Sequence, residues 1–211
     1  VKHFALNNQE EDRYTVDVEV SDRALYEVYL PAFKAAVQRG KAWAIMGSYN
    51  CYKGQHCCHN QYLLNDILRG EWGFDGVVVS DWGGVHNTRE AAYNGLDMEF
   101  GTGTDGLSVS ASDAYNHYFL AWPFLEQIKA GVIPESVVDG KVRNILRMMF
   151  RTTMNPNRPY GSFENPAHGE AARQIAEEGI VLLQNRDNVL PIQLETVSYT
   201  HLRAHETVLD L

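Results

Sequence analysis

The run GVVVSDWGG at residues 76–84 limits the possible fold more than any other stretch of this chain. Three β-branched valines after a glycine predict a strand buried on both faces, the pattern of a parallel sheet covered by helices. That strand ends in Asp81, Trp82 and two glycines. In a β/α barrel the C-terminal strand ends carry the chemistry, because each strand fixes the direction of the side chain that follows it. A carboxylate placed there can attack a sugar carbon, and an indole beside it offers a flat apolar face to a pyranose ring. An aspartate after a strand also reads as the N-cap of the next helix, so this run alone leaves both roles open.

Around it, strand and helix patterns alternate, as in βα units. Residues 21–30 place Ala24, Leu25, Val28 and Tyr29 at helical spacing, and Pro31 breaks that helix or begins a second one that Gly40 stops. Residues 43–46 predict the next strand, 63–69 a helix stopped by Gly70, and 77–80 the strand that carries Asp81. A helix over 87–93, a short strand over 96–99 and a largely helical stretch over 115–130 follow. Pro134 starts a helix to residue 151 whose Val137, Val138, Val142, Ile145, Leu146 and Met149 share one stripe. Residues 152–168, rich in Asn, Pro and Gly, predict a linker. A helix over 169–178 and a strand over 180–183 come after it.

Composition narrows the partners. At 45% hydrophobic and 21% charged residues, the 211-residue chain has the make-up of a soluble globular protein. A formal net charge of −9 argues against nucleic acid and anionic membrane surfaces, which call for a basic patch. No apolar run approaches the roughly 20 residues of a membrane span. Cys51, Cys57 and Cys58 are odd in number, which excludes a complete internal disulfide framework. With His56 and His59 two of them form the run His-Cys-Cys-His. Zinc sites space their thiols by about two to four residues so that the loop turns around the ion, which adjacent cysteines do poorly. The run therefore reads as a loop beside a pocket, with no metal expected.

Several motifs then occur in a fixed order: Lys2-His3-Phe4; Asn7-Asn8-Gln9-Glu10 with Arg13; Met46-Gly47-Ser48-Tyr49-Asn50; LLNDILRGEWGFDGVVVSDW at residues 63–82; Gly95-Leu96-Asp97-Met98-Glu99; and GIVLLQNRDNVLP at residues 179–191. Together they closely resemble the β-glucosidase branch of glycoside hydrolase family 3, from residue 1 to about residue 192. The resemblance implies an α/β fold: the C-terminal half of a (β/α)8 TIM-like barrel over residues 1–154, a linker over 155–167 and the start of an α/β sandwich domain over 168–196. It implies a retaining, exo-acting β-glucosidase that needs no cofactor and whose partner is a β-glucoside or oligosaccharide. It leans toward the periplasm or secretion over the cytoplasm, and the compartment itself is not readable from the chain.

The resemblance assigns roles residue by residue. Asp81 is the nucleophile that forms a glycosyl intermediate. Lys2 and His3 clamp sugar hydroxyls, Arg13 is a second hydroxyl-binding cation, Met46 and Tyr49 line the pocket, and Trp82 walls the sugar site. Arg13 also reads as a surface arginine paired with Glu10 or Glu11. Asp97, at the next strand end, reads as structural, binding loop amides. Retaining hydrolysis needs a second carboxyl about 5–5.5 Å from the first, and the resemblance puts that glutamate in the second domain, beyond this chain. Members acting on N-acetylglucosamine show Lys-His-Phe-Pro-Gly-His-Gly, whereas Phe4 here is followed by Ala5-Leu6-Asn7-Asn8. Xylosidase relatives often carry cysteine where Trp82 stands. A β-xylosidase and a non-catalytic carbohydrate-binding remnant are the competing readings.

The carboxyl end differs in kind. Residues 197–207, VSYTHLRAHET, back-translate to a transposase-type sequencing adaptor, so residues 197–211 are expected to be an artefactual tail. His201 and His205 are discounted as ligands for that reason. The chain is thus expected to be a fragment, inactive alone, whose half barrel leaves apolar edges open.

Overall fold

The computed structural model describes residues 1–101, 114–163 and 165–192. The chain divides into two compact units, Val1–Arg158 and Pro159–Leu211.

The first unit is built on parallel strands. β2 (Ala44–Met46) pairs in parallel with β5 (Val77–Val79), with Ile45 opposite Val78. The array extends on both sides. Phe4 bridges Gly47 in parallel on one flank, and Val79 bridges Met98 in parallel on the other. Along the chain each segment therefore adds beside the one before it, and helical crossovers join them, as parallel pairing requires. The valine triplet behaves as its pattern predicts: Val77 and Val78 are fully buried. A second sheet places β1 (Asp17–Val18) parallel to β3 (Cys51–Tyr52), which turns back into β4 (Gln55–His56). Lys53 and Gly54 both take positive φ, 54° and 77°, which gives a two-residue turn matched to strand twist.

The helical segments cover this frame. α1 (Asp22–Ala24), capped by the Ser21 side chain, continues as a π-helical turn over Leu25–Tyr29 before α2 (Pro31–Gln38). Tyr62–Glu71 is also π-helical and buries Leu63, Leu64, Ile67 and Leu68. It runs through Gly70, the expected stop. The chain reverses only at Gly73, where φ is 70°, because the Trp72 amide still reaches the Ile67 carbonyl at 3.0 Å. α3 spans Thr88–Tyr93, α4 Trp122–Lys129 and α5 Ser136–Arg151. The helix expected over 115–130 is thus a short 3₁₀ turn at Ala114–His117 followed by α4. The strand expected over 96–99 is reduced to the single bridge at Met98. The main core gathers Phe4, Leu25, Ile45, Leu64, Ile67, Val78 and Leu96 between the parallel array and the helices.

In the second unit α6 runs Pro166–Gly179, with the Asn165 side chain accepting from the Ala167 amide at 3.0 Å. Residues 180–183 form no ladder among the described residues. Ile180, Val181, Leu182 and Leu183 are exposed, and a strand without a neighbour has nothing to pair its amides. The expected tail, residues 197–211, lies outside the described residues.

Candidate active site

Asp81 leaves the end of β5 on a loop held from several sides. The Ser80 amide donates to the Met98 carbonyl at 2.9 Å, the Gly83 amide to the Phe100 carbonyl at 2.8 Å, and the Gly84 amide to the Asp81 carbonyl at 3.0 Å. Buried Ser80 accepts from the Phe100 amide through Oγ at 2.8 Å. Asp81 is not a helix cap. The next helix, α3, is capped by Asn87, whose side chain accepts from the Glu90 amide at 3.0 Å.

The carboxylate of Asp81 is largely buried and partnered on both oxygens. Oδ1 accepts the Trp82 amide at 2.8 Å, and Oδ2 lies 3.3 Å from His3 Nε2. The Tyr49 phenol donates to the same carboxylate. Burial first, and then the charge of Asp81, push the ionisation of Tyr49 above its ordinary range, so it stays a donor. The Arg13 guanidinium lies 5.0 Å from the centroids of both Tyr14 and Tyr49. It also forms the surface pair anticipated with Glu10, at 2.5 Å. Trp82 is 55% exposed, a free indole face next to the carboxylate, and its ring centroid lies 5.3 Å from that of Phe100.

His3, Tyr49 and Trp82 therefore meet Asp81 directly, and Arg13 stands against the Tyr49 ring. Lys2 is exposed and Met46 stands in β2 opposite Val79; neither joins the polar contacts of Asp81. Tyr14 and Phe100 complete the aromatic surround and were not singled out by sequence reasoning. Their signal was adjacency, an aromatic beside Arg13 and another just past the strand end at Met98.

The cysteines pack beneath the site. Cys58 is fully buried, and a Cβ at Gly47 or Gly84 would lie 2.9 or 2.7 Å from its sulfur. These two glycines let the thiol fill the gap behind Asp81. The Cys58 thiol donates to the Ser48 carbonyl at 3.4 Å and the Cys57 thiol to the Ala5 carbonyl at 3.5 Å. Burial pushes the Cys57 thiol up to about 12, so it is an inert core group. Among the described residues no group of His, Cys, Asp and Glu is arranged to hold a metal ion.

Beside them lies a histidine cluster, of which sequence reasoning weighed His56 and His59 as zinc ligands and read them instead as part of a loop beside a pocket. His56 and His86 stack at 3.9 Å between centroids. His59 is buried, accepts the His86 amide through Nε2 at 3.2 Å and holds Nδ1 2.7 Å from Glu90. Burial outweighs the carboxylate and lowers its pKa to about 4.

Asp97 is structural, though it serves a strand rather than a loop. Its Oδ2 accepts the Val78 amide at 2.7 Å and Arg69 at 2.6 Å, and its Oδ1 accepts Asn144 at 2.9 Å. Lys141, also buried, donates to the Ala91 carbonyl at 2.9 Å and to the Leu96 carbonyl, and burial lowers its pKa to about 8.

Comparison with known proteins gives a consistent picture. The model of the glycosyl hydrolase family 3 N-terminal domain matches residues 1–148. A β-glucosidase of Bacteroides ovatus is 54% identical over 185 residues, which is 88% of this chain and 25% of that protein. An exo-α-(1→6)-L-arabinopyranosidase of Bifidobacterium longum is 38% identical over 199 residues, 94% of this chain and 24% of that protein. Among solved structures, a β-glucosidase from Streptomyces venezuelae in complex with D-glucose is 32% identical with a TM-score of 0.72, over 91% of this chain and 25% of that one. The chain spans about a quarter of the length of the curated relatives it matches.

Proposed function

The chain belongs to the glycosyl hydrolase family 3 N-terminal domain family, and from that premise we propose that it carries the nucleophile half of a retaining, exo-acting β-glucosidase, with Asp81 as the attacking group. The observation that carries this reading is the buried Asp81 carboxylate at the end of β5, oriented by the Trp82 amide, His3 and Tyr49. An ionised oxygen of Asp81 attacks the anomeric carbon, and the bond to the aglycone oxygen breaks as that oxygen takes a proton from an acid. Water then cleaves the glycosyl ester and restores the carboxylate. The Tyr49 phenol steadies the carboxylate before attack, and the exposed face of Trp82 stacks on the sugar. Arg13, Lys2 and His3 bind hydroxyls, and Met46 packs against the ring. No residue of this chain is assigned as the acid/base.

In this reading the parallel array is an arc of a (β/α)8 barrel, and α6 with the apolar residues after it opens an α/β sandwich domain. The chain alone then hydrolyses glucosides negligibly, since losing general-acid help costs about 10²–10⁴-fold. A second reading takes a pentopyranoside, such as a β-xyloside, as substrate. It is favoured by the relative named as an arabinopyranosidase.

The test is a chimera in which residues 1–192 replace the matching segment of the Bacteroides ovatus β-glucosidase. It should hydrolyse aryl β-glucosides faster than aryl β-xylosides. A slow-turnover fluorinated glucoside should label Asp81 in the peptide map. A label on another residue would overturn the nucleophile assignment, and a preference for xylosides would select the second reading.

A further inference from the structure

At the opposite ends of the strands from Asp81 lies a groove of ≈ 610 Å³, lined by Gln38, Lys41, Trp43, Trp72, Asp75 and Arg151 among others. Trp43 immediately precedes β2 and its carbonyl accepts the Val77 amide at 2.9 Å, which fixes the groove at the N-terminal ends of β2 and β5. Three features set it apart. The indole of Trp43 is 42% exposed, an open apolar face on the lining. The Trp72 indole N–H is shut from solvent and has no hydrogen-bond partner among the described residues, an expensive state for a buried donor. The charge of the lining is also positive, on a chain whose net charge is −9.

The charge comes from a definite arrangement. Asp75, the one carboxylate among the described residues of the groove wall, is clamped by the Arg151 fork at 2.9 and 2.6 Å and is approached by Arg147 at 3.9 Å. Within the lining Arg151 alone neutralises Asp75, and Lys41 adds an ammonium beyond that. A neighbouring groove of ≈ 270 Å³, which shares Gln38 and Trp72, adds Lys34 and Arg39 and, among the described residues, no carboxylate. A neutral ligand would leave this excess cationic charge unused. An anion with a flat apolar ring face would meet both the charge and the indole.

We propose that this groove is a second binding site, distinct from the Asp81 site, for a carboxylate-bearing sugar, a hexuronate unit of a glycan. The ring stacks on Trp43, the carboxylate faces Lys41, and the ring hydroxyls meet Gln38. The choice of a sugar among carboxylated rings rests on the glycosidase reading; the site itself does not. Binding here positions a glycan on the protein without chemistry.

The test titrates the 211-residue chain with digalacturonate and follows the indole N–H resonances of its four tryptophans by NMR, assigned with Trp→Phe variants. The Trp43 and Trp72 signals should move together, and the Trp82 signal should not. Lys41→Gln should weaken binding about tenfold or more, the loss of one charge-assisted contact, and Trp43→Ala comparably. Raised salt should weaken it further. Asp81→Asn should leave this titration unchanged, so failure of the nucleophile assignment and failure of the groove are told apart. Equal affinity for cellobiose would overturn the anionic assignment, and equal affinity for benzoate would overturn the sugar. If either groove variant lost folded signal dispersion, Lys41→Arg, which keeps the charge, should retain binding; its loss there would overturn the proposal.

Discussion

His59 gives the sharpest quantitative test of the structure. Its ring is buried, its Nε2 accepts the His86 amide, and Glu90 stands beside Nδ1. Burial, helped by the neighbouring His56 and His86 and opposed by Glu90, lowers the folded pKa from an ordinary 6.5 to about 4. The unfolded chain therefore binds a proton between those two values while the folded chain does not. Stability must rise with pH across that window. Above pH 6.5 His59 is neutral in both states and contributes its full share; as pH falls through the window that share is lost. The two values differ by about 2.5, and at about 1.36 kcal/mol for each the loss is about 3 kcal/mol. His59→Gln keeps an acceptor but cannot ionise. Urea unfolding of both proteins should be followed at pH 7, 6, 5 and 4. The gap in unfolding free energy between them should narrow by about 3 kcal/mol as pH falls, while the titration of groups away from His59 cancels. A gap that stays flat between pH 7 and 4 would refute the buried, neutral assignment.

Four further outcomes follow from particular contacts. Asp97→Ala should cost about 3–5 kcal/mol in denaturant unfolding, because it removes the carboxylate partner of Arg69 and the acceptor of the Val78 amide at once; a cost under 1 kcal/mol would mean that Asp97 organises nothing. Gly84→Ala should cost about 1–3 kcal/mol, since its methyl would meet the Cys58 sulfur at 2.7 Å, and pairing it with Cys58→Ala should recover part of that loss. In the chimera, Tyr49→Phe should lower kcat by about 10–100-fold, the range for removing a hydrogen bond to a charged group; an unchanged kcat would make the phenol a packing residue. Lys2→Ala should lower kcat/KM by about 2–4 kcal/mol of transition-state binding, with wild-type kinetics marking Lys2 as a bystander.

The candidate site was unevenly legible. Asp81, His3, Tyr49, Arg13 and Trp82 stood out because they sit in short motifs, and the structure brings His3, Tyr49 and Trp82 to the Asp81 carboxylate with Arg13 against the Tyr49 ring. Lys2 and Met46 belong to the same motifs yet make no polar contact with it. The roles of Cys58 and the histidine cluster were not legible: their run reads from sequence only as a loop beside a pocket. Their role depends on Gly47 and Gly84 closing over the thiol and on His86 arriving from beyond the strand end, which are long-range events.

The sequence by itself determined the local order. Valine triplets make strands because β-branched side chains suit a pleated, buried surface. Pro31 opens a helix because its fixed φ and missing amide suit a first turn. Boundaries yielded where packing outweighed propensity: Gly70 stays helical because Leu63, Leu64, Ile67 and Leu68 are buried on one side of its segment. Residues 180–183 show the reverse case, in which strand propensity is present and no partner strand among the described residues realises it. Only the tertiary structure decided that Asp81 is a partnered, desolvated carboxylate rather than a helix cap. That distinction requires the N-terminal segment, β2, β5 and the Phe100 loop to meet at one strand end, and periodicity along the chain carries no distances between strands.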